Sequence, residues 1–466
     1  MAVASKTPSS SPAARRKTPR ADIALPLAGG RMLVVFLWWL IESGGYFERV
    51  WMPGAVVILA IAAAALVALR EQVALPNRAA KLALVALAAY VAWSFASIAW
   101  AGSAGDALEG SQRSLLYLAI FALFVLLPWT ARSLLMAITA VVAVLTVFAL
   151  VTVARLVGGA QLGDLFLSGR LIAPLGYMNA TAALWTLGAV PALLLATCRE
   201  LPIWLRPVLL SGSTLMFGLA ILAQSRGWLF TLPVVALAAL LVSPDRLKLM
   251  LYALPVLGGL ALATPDLLEI NSVGGGRDPD KIAPVLGPVI DTAVTSLVLA
   301  ALMALVAGIA LVAAETRAGE RFTPAPVIRR RISLALVVLA VAGGGIALAV
   351  ATDGDPAAKA RSAWSDFKDI ESDPGGNADR LTSLGSTRYD IWRVALDSWA
   401  EHPVGGLGQD NFLDTYAAQR RQDFDEPRWV HSLPLRLVAH TGTVGALLFA
   451  AFLLVAAWGA ARAWRQ

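Results

Sequence analysis

Long uninterrupted apolar runs are the feature that most restricts how this chain can fold. A helix needs roughly 20 apolar residues to cross a hydrocarbon core about 30 Å thick, and many runs reach that length. Only 15% of the 466 residues are charged, compared with about 25% in soluble domains. Because backbone polar groups inside a bilayer must bond within their own segment, these runs predict helices. We therefore expect an all-α, polytopic membrane protein.

The runs predict about 12 transmembrane helices, and the first is the least regular because Gly44 and Gly45 separate it from the second. The predicted spans are approximately 25–41, 51–69, 81–100, 112–129, 132–154, 173–197, 205–223, 227–242, 248–264, 285–313, 332–352 and 435–460. The chain then divides into four parts. These are a disordered basic tail (1–24), a transmembrane bundle of about 11 helices (25–352), one large extracytoplasmic loop (353–434), and a final helix with its cytoplasmic end (435–466).

The placement of lysine and arginine predicts the orientation of these spans. If the N-terminus is cytoplasmic, more than half of the 38 basic residues fall in cytoplasmic segments and few fall in the short outer loops. This is the positive-inside bias of multi-pass proteins. It predicts two cytoplasmic termini and an outward-facing 353–434 loop. It also accounts for the net charge of +7 without a nucleic-acid partner.

Three arginines and one histidine lie just outside apolar runs, and the predicted topology puts Arg170, Arg226, Arg388 and His431 on the outer face. Planar guanidinium groups bind phosphate oxygens through paired hydrogen bonds. A neutral imidazole can accept a hydroxyl proton near pH 7. The set predicts a site for a phosphorylated lipid. The alternative is that each arginine anchors a helix end among lipid headgroups and that the histidine is an ordinary interfacial residue.

The remaining polar candidates have weaker signals. Asn179 is predicted to lie inside a span, where an amide either binds substrate or forms an interhelical hydrogen bond. His440 is interpreted as a helix-packing residue, and His402 as a residue at a helix end. The outer segments contain no Asp-x-Asp pair and no cysteine–histidine spacing of the kind that binds metals. We therefore predict no metal and no cofactor.

The 353–434 loop is predicted to contain an amphipathic helix. Tyr389, Trp392, Leu396 and Trp399 recur at helical spacing on one stripe, which we expect to contact the membrane surface or the bundle. Pro403 limits the helix, and a glycine-rich turn region follows it.

An ordered set of motifs resembles the O-antigen ligase and polymerase-like family. The set comprises Arg388-Tyr-Asp-Ile-Trp392, Pro403-Val-Gly-Gly-Leu-Gly408 with Phe412, His431, and Thr441-Gly-Thr-Val-Gly445, preceded by Ser168-Gly-Arg170, Gly176-Tyr-Met-Asn179 and Gln224-Ser-Arg226-Gly227. The resemblance covers roughly residues 90–466. Two positions differ from the family pattern. Ser432 stands where asparagine is usual, and His440 lies where a glutamate is expected.

The resemblance implies a GT-C-like, inverting, metal-independent glycosyltransferase of the bacterial cytoplasmic membrane. Such enzymes move a glycan from undecaprenyl diphosphate to a glycan, lipid or protein acceptor on the outer face, in contact with membrane lipids. The resemblance implies that Arg170, Arg226, Arg388 and Asn179 bind the diphosphate or substrate and that His431 takes the acceptor proton.

The motifs do not separate ligases from polymerases. A transporter or flippase of lipid-linked saccharide is the alternative from another class, but transporters usually need ionisable groups near the bilayer midplane. An inactive membrane scaffold is the third alternative, because family members usually have further helices beyond the position that corresponds to Gln466.

Overall fold

The computed structural model describes residues 19–71, 77–158, 161–275, 277–318, 331, 355–368, 388–421 and 428–464. The helices of the first half are α1 Pro19–Ile41, α2 Glu48–Ala68, α3 Arg78–Ala96, α4 Ala104–Leu126, α5 Ala131–Val157, α6 Leu162–Leu165, α7 Met178–Ala196 and α8 Leu205–Leu222. The helices of the second half are α9 Arg226–Val242, α10 Arg246–Gly274, α11 Ala283–Ala318, α12 Pro356–Lys368, α13 Arg388–Glu401, α14 Leu413–Gln419 and α15 Leu433–Trp464. One small antiparallel hairpin joins β1 Phe166–Leu167 to β2 Arg170–Leu171, with Leu167 opposite Arg170.

Nine of the described helices are long and apolar enough to cross a membrane: α2, α3, α4, α5, α7, α8, α10, α11 and α15. Two shorter apolar helices, Ala28–Ile41 within α1 and the whole of α9, correspond to the first and eighth predicted spans. The predicted span 332–352 lies outside the described residues. The all-α, multi-pass membrane fold is therefore confirmed, and the total of about 12 spans stays a prediction.

Helix starts are set by side chains that bind the unpaired N–H groups of the first turn. The Ser103 side chain accepts a hydrogen bond from the Asp106 N–H at 3.3 Å, so α4 begins eight residues before the predicted span at 112. Short polar side chains are favoured at such positions because they replace missing intrahelical bonds. The same type of cap occurs at Asn77 for α3, Thr130 for α5, Ser225 for α9 and Asp245 for α10.

Contacts between loops show which helix ends lie together. The Asn271 side chain donates to the Ser168 carbonyl at 3.1 Å, and the Gly163 N–H donates to Asp280 at 3.1 Å. Arg428 contacts Asp106 at 3.1 Å, across more than 300 residues of sequence. The first two contacts join the connection before α7 to the connection before α11, and the third joins the start of α4 to the segment before α15. We call the side of the bundle that carries these connections the cleft end.

The helix ends on the other side of the bundle meet around Glu315, near the end of α11. Glu315 bonds to side chains from the α7–α8 connection and from α8 and α10. We call this side the Glu315 end. Between the two ends, the main apolar core is built from α5, α7, α8, α10 and α11, which approach closely at small residues. At Gly218 an added Cβ would lie 2.2 Å from a Leu297 methyl carbon, as expected for helices packed inside a membrane.

The predicted amphipathic helix exists as α13, and Trp392 and Trp399 of the predicted stripe contact the bundle, but its most buried stripe is a different one. Its buried residues are Asp390, Ile391, Val394, Ala395 and Ser398, whereas Leu396 is exposed. The apolar members pack against Phe412, Tyr416, Val430 and Ala439. The two tryptophans flank this face and donate hydrogen bonds, Trp392 to the Val430 carbonyl at 3.1 Å and Trp399 to Thr443 at 3.0 Å. Tertiary packing, and not the size of the aromatic residues, determines which face of α13 is most buried.

Candidate active site

A break in α15 and the glycine-rich loop of residues 403–408 position the candidate site together. Gly442 has φ +65° and interrupts the helix. The interruption leaves backbone groups without helical partners, and the loop bonds to four of them. Leu407 and Gly408 donate to the Ala439 and His440 carbonyls, each at 2.9 Å, while Thr443 and Val444 donate to the Pro403 and Val404 carbonyls at 2.8 and 3.4 Å. Irregular backbone at membrane depth is tolerated where protein satisfies it in this way.

Glycine is required where the loop and the broken helix touch. A Cβ added at Gly442 would lie 2.1 Å from the Val404 carbonyl oxygen, and one added at Gly406, where φ is +66°, would lie 2.6 Å from the Gly442 nitrogen. Both glycines therefore combine a left-handed backbone with close approach, which other residues cannot supply. This explains why the Pro403–Gly408 and Thr441–Gly445 motifs occur together in the sequence.

Asp410 lies immediately after this loop and is fully enclosed. Its carboxylate accepts from Arg436 at 2.7 Å and from Arg113 at 3.3 Å, while its N–H donates to His440 Nδ1 at 2.9 Å. Burial opposes ionisation of this carboxyl, but the contact with Arg436 outweighs burial and lowers its pKa to about 2. Asp410 is therefore an anion that holds two arginines in place.

A second buried carboxylate, Glu109 on α4, holds the other side of the arginine group. It accepts hydrogen bonds from Arg113 and from Arg428, and Arg428 also contacts Asp106 at 3.1 Å. Burial opposes the positive charge of Arg428, but the hydrogen bond to Glu109 outweighs burial and raises the pKa of Arg428. Each guanidinium has five N–H donors, so these contacts fix its orientation while using only part of its hydrogen-bonding capacity.

The three guanidinium groups gather around the indole of Trp429. Their central carbons lie 3.9 Å (Arg436), 5.0 Å (Arg113) and 5.4 Å (Arg428) from the ring centroid. These distances are within the range of cation–π attraction, which offsets part of the repulsion between neighbouring cations. Trp429 thus organises three positive charges that come from α4, from the 428–432 segment and from α15.

An open cleft of about 650 Å³ lies beside these arginines. Four arginines and one glutamate line it, together with the loop between α1 and α2 and two aromatic side chains; these residues are Gly44, Gly45, Tyr46, Phe47, Glu48, Arg49, Arg113, Tyr117, Arg428, Trp429 and Arg436. Asp106, Glu109 and Asp410 lie behind the arginines and outside the lining. Tyr46 and Tyr117 are exposed, as expected for aromatic residues at the level of lipid headgroups. The cleft therefore offers guanidinium groups to a ligand at the end of the bundle.

Arg170, Asn179 and Arg226 lie around the start of α7, next to the cleft. Asn179 is the second residue of α7 and lies within the candidate span Met178–Ala196, as expected. Its side chain accepts from Ser225 at 2.7 Å and donates to the Tyr177 hydroxyl at 2.6 Å, which ties α7 to the start of α9 at Arg226. On the other side, the Thr181 hydroxyl donates to the Ile172 carbonyl at 2.7 Å and holds the hairpin that carries Arg170.

This α7 group borders the cleft through the loop between α1 and α2. A Cβ added at Gly44, which lines the cleft, would lie 2.9 Å from a Leu175 methyl carbon. Leu175 lies between the Arg170 hairpin and α7. The structure thus places Arg170, Arg226 and Asn179 at the cleft end, although they are not among the residues that line the cleft.

Arg388 and His431 also lie at the cleft end but outside the lining. Arg388 is the first residue of α13 and is half-buried. His431 is exposed and follows the buried Val430. Its φ of +55° is unusual for a histidine, and this conformation turns the chain from Trp429 into α15.

Sequence reasoning missed the residues that form the centre of the site. Arg113, Arg428 and Arg436 come from three distant segments, and each looks like an ordinary helix-end or loop arginine in the sequence. His440, interpreted as a packing residue, is 1% exposed and bonded to Asp410. A usable signal was the spacing of Glu109 and Arg113, four residues apart at the start of a predicted span, because such a pair can form an ion pair on one face of a helix.

Part of the chain is similar to a known protein family. Residues 286–450 match the family model described as O-Antigen ligase. This stretch includes the glycine loop, Asp410, Arg428, Trp429, His431 and Arg436, whereas Arg113, Arg170 and Arg226 precede it. Searches of curated proteins and of solved structures gave no match. Residues 286–450 are therefore similar to the O-Antigen ligase family.

Proposed function

We propose that this protein transfers a glycan from undecaprenyl diphosphate to an acceptor at the outer face of the cytoplasmic membrane. The observation that carries the proposal is the cleft lined by four arginines at one end of a membrane-spanning bundle. Diphosphate is the leaving group of such a transfer, and negative charge develops on its oxygens as the glycosidic bond breaks. Fixed guanidinium groups at that point stabilise the charge without reorganising during the reaction.

Arg113, Arg428 and Arg436 are the proposed diphosphate ligands. Their carboxylate partners and Trp429 hold them in fixed orientations, which reduces the entropy lost when the ligand binds. Arg170 and Arg226 form the alternative diphosphate site, supported by their place around the start of α7 and by the motifs that contain them. Asn179 would orient that second group, and Arg388 would contribute from the start of α13.

His431 is the proposed acceptor of the hydroxyl proton. Its exposure at the rim suits contact with an incoming acceptor, and a neutral imidazole has the right chemistry. Backbone geometry supports a functional role for this region. Among the described residues, the five non-glycine residues with positive φ are Ser43, Ser168, Gln224, Asp410 and His431, and all lie at the cleft end. Such conformations cost free energy and tend to persist at functional sites.

The test is a transfer assay on purified protein with glycan-bearing undecaprenyl diphosphate and an acceptor. Arg113→Lys and Arg436→Lys should lose most activity, because a point charge cannot reproduce planar paired hydrogen bonds. Arg462→Lys, an exposed arginine near the opposite end of α15, is the matched control and should retain activity. His431→Ala should lose on the order of 10²–10⁴-fold in rate.

The same assay separates the two proposed diphosphate sites. Loss of activity in Arg170→Lys and Arg226→Lys, with normal activity in Arg113→Lys and Arg436→Lys, would move the diphosphate to the start of α7. Near-normal activity in all four variants would contradict diphosphate binding by either group. Growth of glycan chains in the assay would identify a polymerase, and a single transfer to a lipid or protein would identify a ligase.

A further inference from the structure

A small second cavity lies beside the cleft. Its volume is about 120 Å³, comparable with the space that about four water molecules occupy in the liquid. Arg113, Tyr117 and Arg436 line both cavities, so the small one adjoins the proposed diphosphate site. Its size suits a hydroxyl or hydroxymethyl group on the edge of a sugar.

Two residues that line this cavity each carry a buried polar atom with no hydrogen-bond partner among the described residues. Gln409 is 4% exposed and His440 is 1% exposed, and both residues line the cavity. Within the described part of the chain, neither Gln409 Oε1 nor His440 Nε2 has a hydrogen-bond partner. Buried polar groups in native proteins are nearly always paired, so two unpaired atoms in one cavity point to a ligand.

Neighbouring contacts determine what these two atoms offer. The Asp410 N–H donates to His440 Nδ1 at 2.9 Å, so Nδ1 is the acceptor and the neutral ring carries its proton on Nε2. Gln409 Nε2 donates to Asp410 Oδ1 at 3.3 Å, so Oε1 is the atom of the amide that is left to accept a hydrogen bond. The cavity therefore presents one donor and one acceptor, which together match a hydroxyl group.

We propose that this cavity is a subsite for a glycan hydroxyl, which accepts a hydrogen bond from His440 Nε2 and donates one to Gln409 Oε1. The proposal rests on the proposed function, because the adjoining arginines would hold the diphosphate of the donor. The hydroxyl can belong to the donor sugar next to that diphosphate or to the acceptor glycan. In either case the pair selects the sugar and leaves diphosphate affinity to the arginines.

The test compares His440→Asn and Gln409→Met with the wild type. Asparagine keeps an acceptor for the Asp410 N–H but removes the Nε2 donor, and methionine keeps the shape of glutamine but removes its acceptor. Gln161→Met, an exposed glutamine at the same end of the bundle, is the matched control. Thermal unfolding in detergent shows whether each variant is folded.

Affinity is measured for bare undecaprenyl diphosphate and for glycan-bearing undecaprenyl diphosphate, and the acceptor KM is measured in the transfer assay. Each variant loses one net hydrogen bond, so we expect the affinity for either the glycan-bearing carrier or the acceptor to fall about three- to tenfold. The affinity for bare undecaprenyl diphosphate should be retained. A lower affinity for the glycan-bearing carrier assigns the hydroxyl to the donor sugar, and a higher acceptor KM assigns it to the acceptor glycan.

Unchanged glycan affinity and unchanged acceptor KM in both folded variants would overturn the subsite. Failure of wild-type protein to bind bare undecaprenyl diphosphate would contradict the proposed function instead. The two failures are therefore distinguishable in one set of titrations.

Discussion

Arginine and carboxylate side chains cluster at both ends of the bundle, in opposite arrangements. At the Glu315 end one carboxylate is central, and it accepts hydrogen bonds from four side chains: Arg199 at 2.6 Å, Arg206 at 2.5 Å, Lys248 at 2.6 Å and Tyr252 at 2.9 Å. At the cleft end the arginines are central around Trp429, and the carboxylates lie behind them. The first arrangement satisfies the cations within the protein, and the second turns them toward an open cleft.

The difference shows how one type of ion pair can serve packing or binding. Glu315 ties the ends of α8, α10 and α11 together, and Arg206 beneath it is 3% exposed. At the cleft end, the elements are held together largely by backbone hydrogen bonds between residues 403–408 and the broken α15. We therefore expect substitutions at the Glu315 end to reduce stability and substitutions of the cleft arginines to reduce binding.

The largest expected loss of stability is at Glu315. Glu315→Ala leaves the buried Arg206 without its carboxylate, and breaking one side of a buried ion pair costs about 3–5 kcal/mol. Thermal unfolding and the yield of folded protein in detergent measure this loss. Glu200→Ala, an exposed glutamate at the same end, is the control and should behave like wild type. A stable Glu315→Ala protein would contradict the packing role of this cluster.

The next largest loss of stability is expected at Gly442, where backbone hydrogen bonds and not ion pairs hold the cleft end together. Gly442→Ala forces a side chain into a left-handed position and against the Val404 carbonyl oxygen. Left-handed backbone and overpacking together predict a loss of roughly 2–4 kcal/mol. Gly258→Ala, where an added Cβ meets no atom within 4 Å, is the control. If both variants unfold at the wild-type temperature, the loop and helix break do not stabilise the cleft end.

A smaller effect is expected from the titration of Asp410. Its pKa is lowered from 3.8 to about 2 in the folded protein, so the ionised carboxylate stabilises the fold above pH about 4. That stabilisation, about 2 kcal/mol, should decline as the pH falls from about 4 to about 2. Asp410→Asn should remove this pH dependence. The control is Asp397→Asn, because the Asp397 side chain is half-exposed, and this variant should retain the pH dependence. Thermal unfolding of the three proteins between pH 6 and pH 2 measures the difference, and an unchanged profile in Asp410→Asn would contradict it.

Much of the fold could be predicted from the sequence, because hydrophobic span length is a local property. The candidate site depends on non-local contacts and could be predicted only in part. Arg170, Arg226 and His431 lie in recognisable motifs and do reach the cleft end. Arg113 and Arg436 come together because Asp410, held by the glycine loop, binds both of them and Trp429 lies against both. The most buried stripe of α13 differs from the predicted one for a similar reason, because tertiary packing and not residue size determines the buried face.

The central claim is that the cleft arginines bind diphosphate while the Glu315 cluster holds the fold. The most direct measurement is the affinity of purified protein for bare undecaprenyl diphosphate in wild type, Arg436→Gln and the control Arg462→Gln. Arg436 lies 3.9 Å from the centre of the Trp429 ring and lines the cleft. Loss of one charge-assisted contact to phosphate predicts about a tenfold or greater weakening. Arg436→Gln should stay folded with a stability loss of no more than about 2 kcal/mol, because it weakens the contact to the buried Asp410. Wild-type affinity in folded Arg436→Gln would contradict the claim.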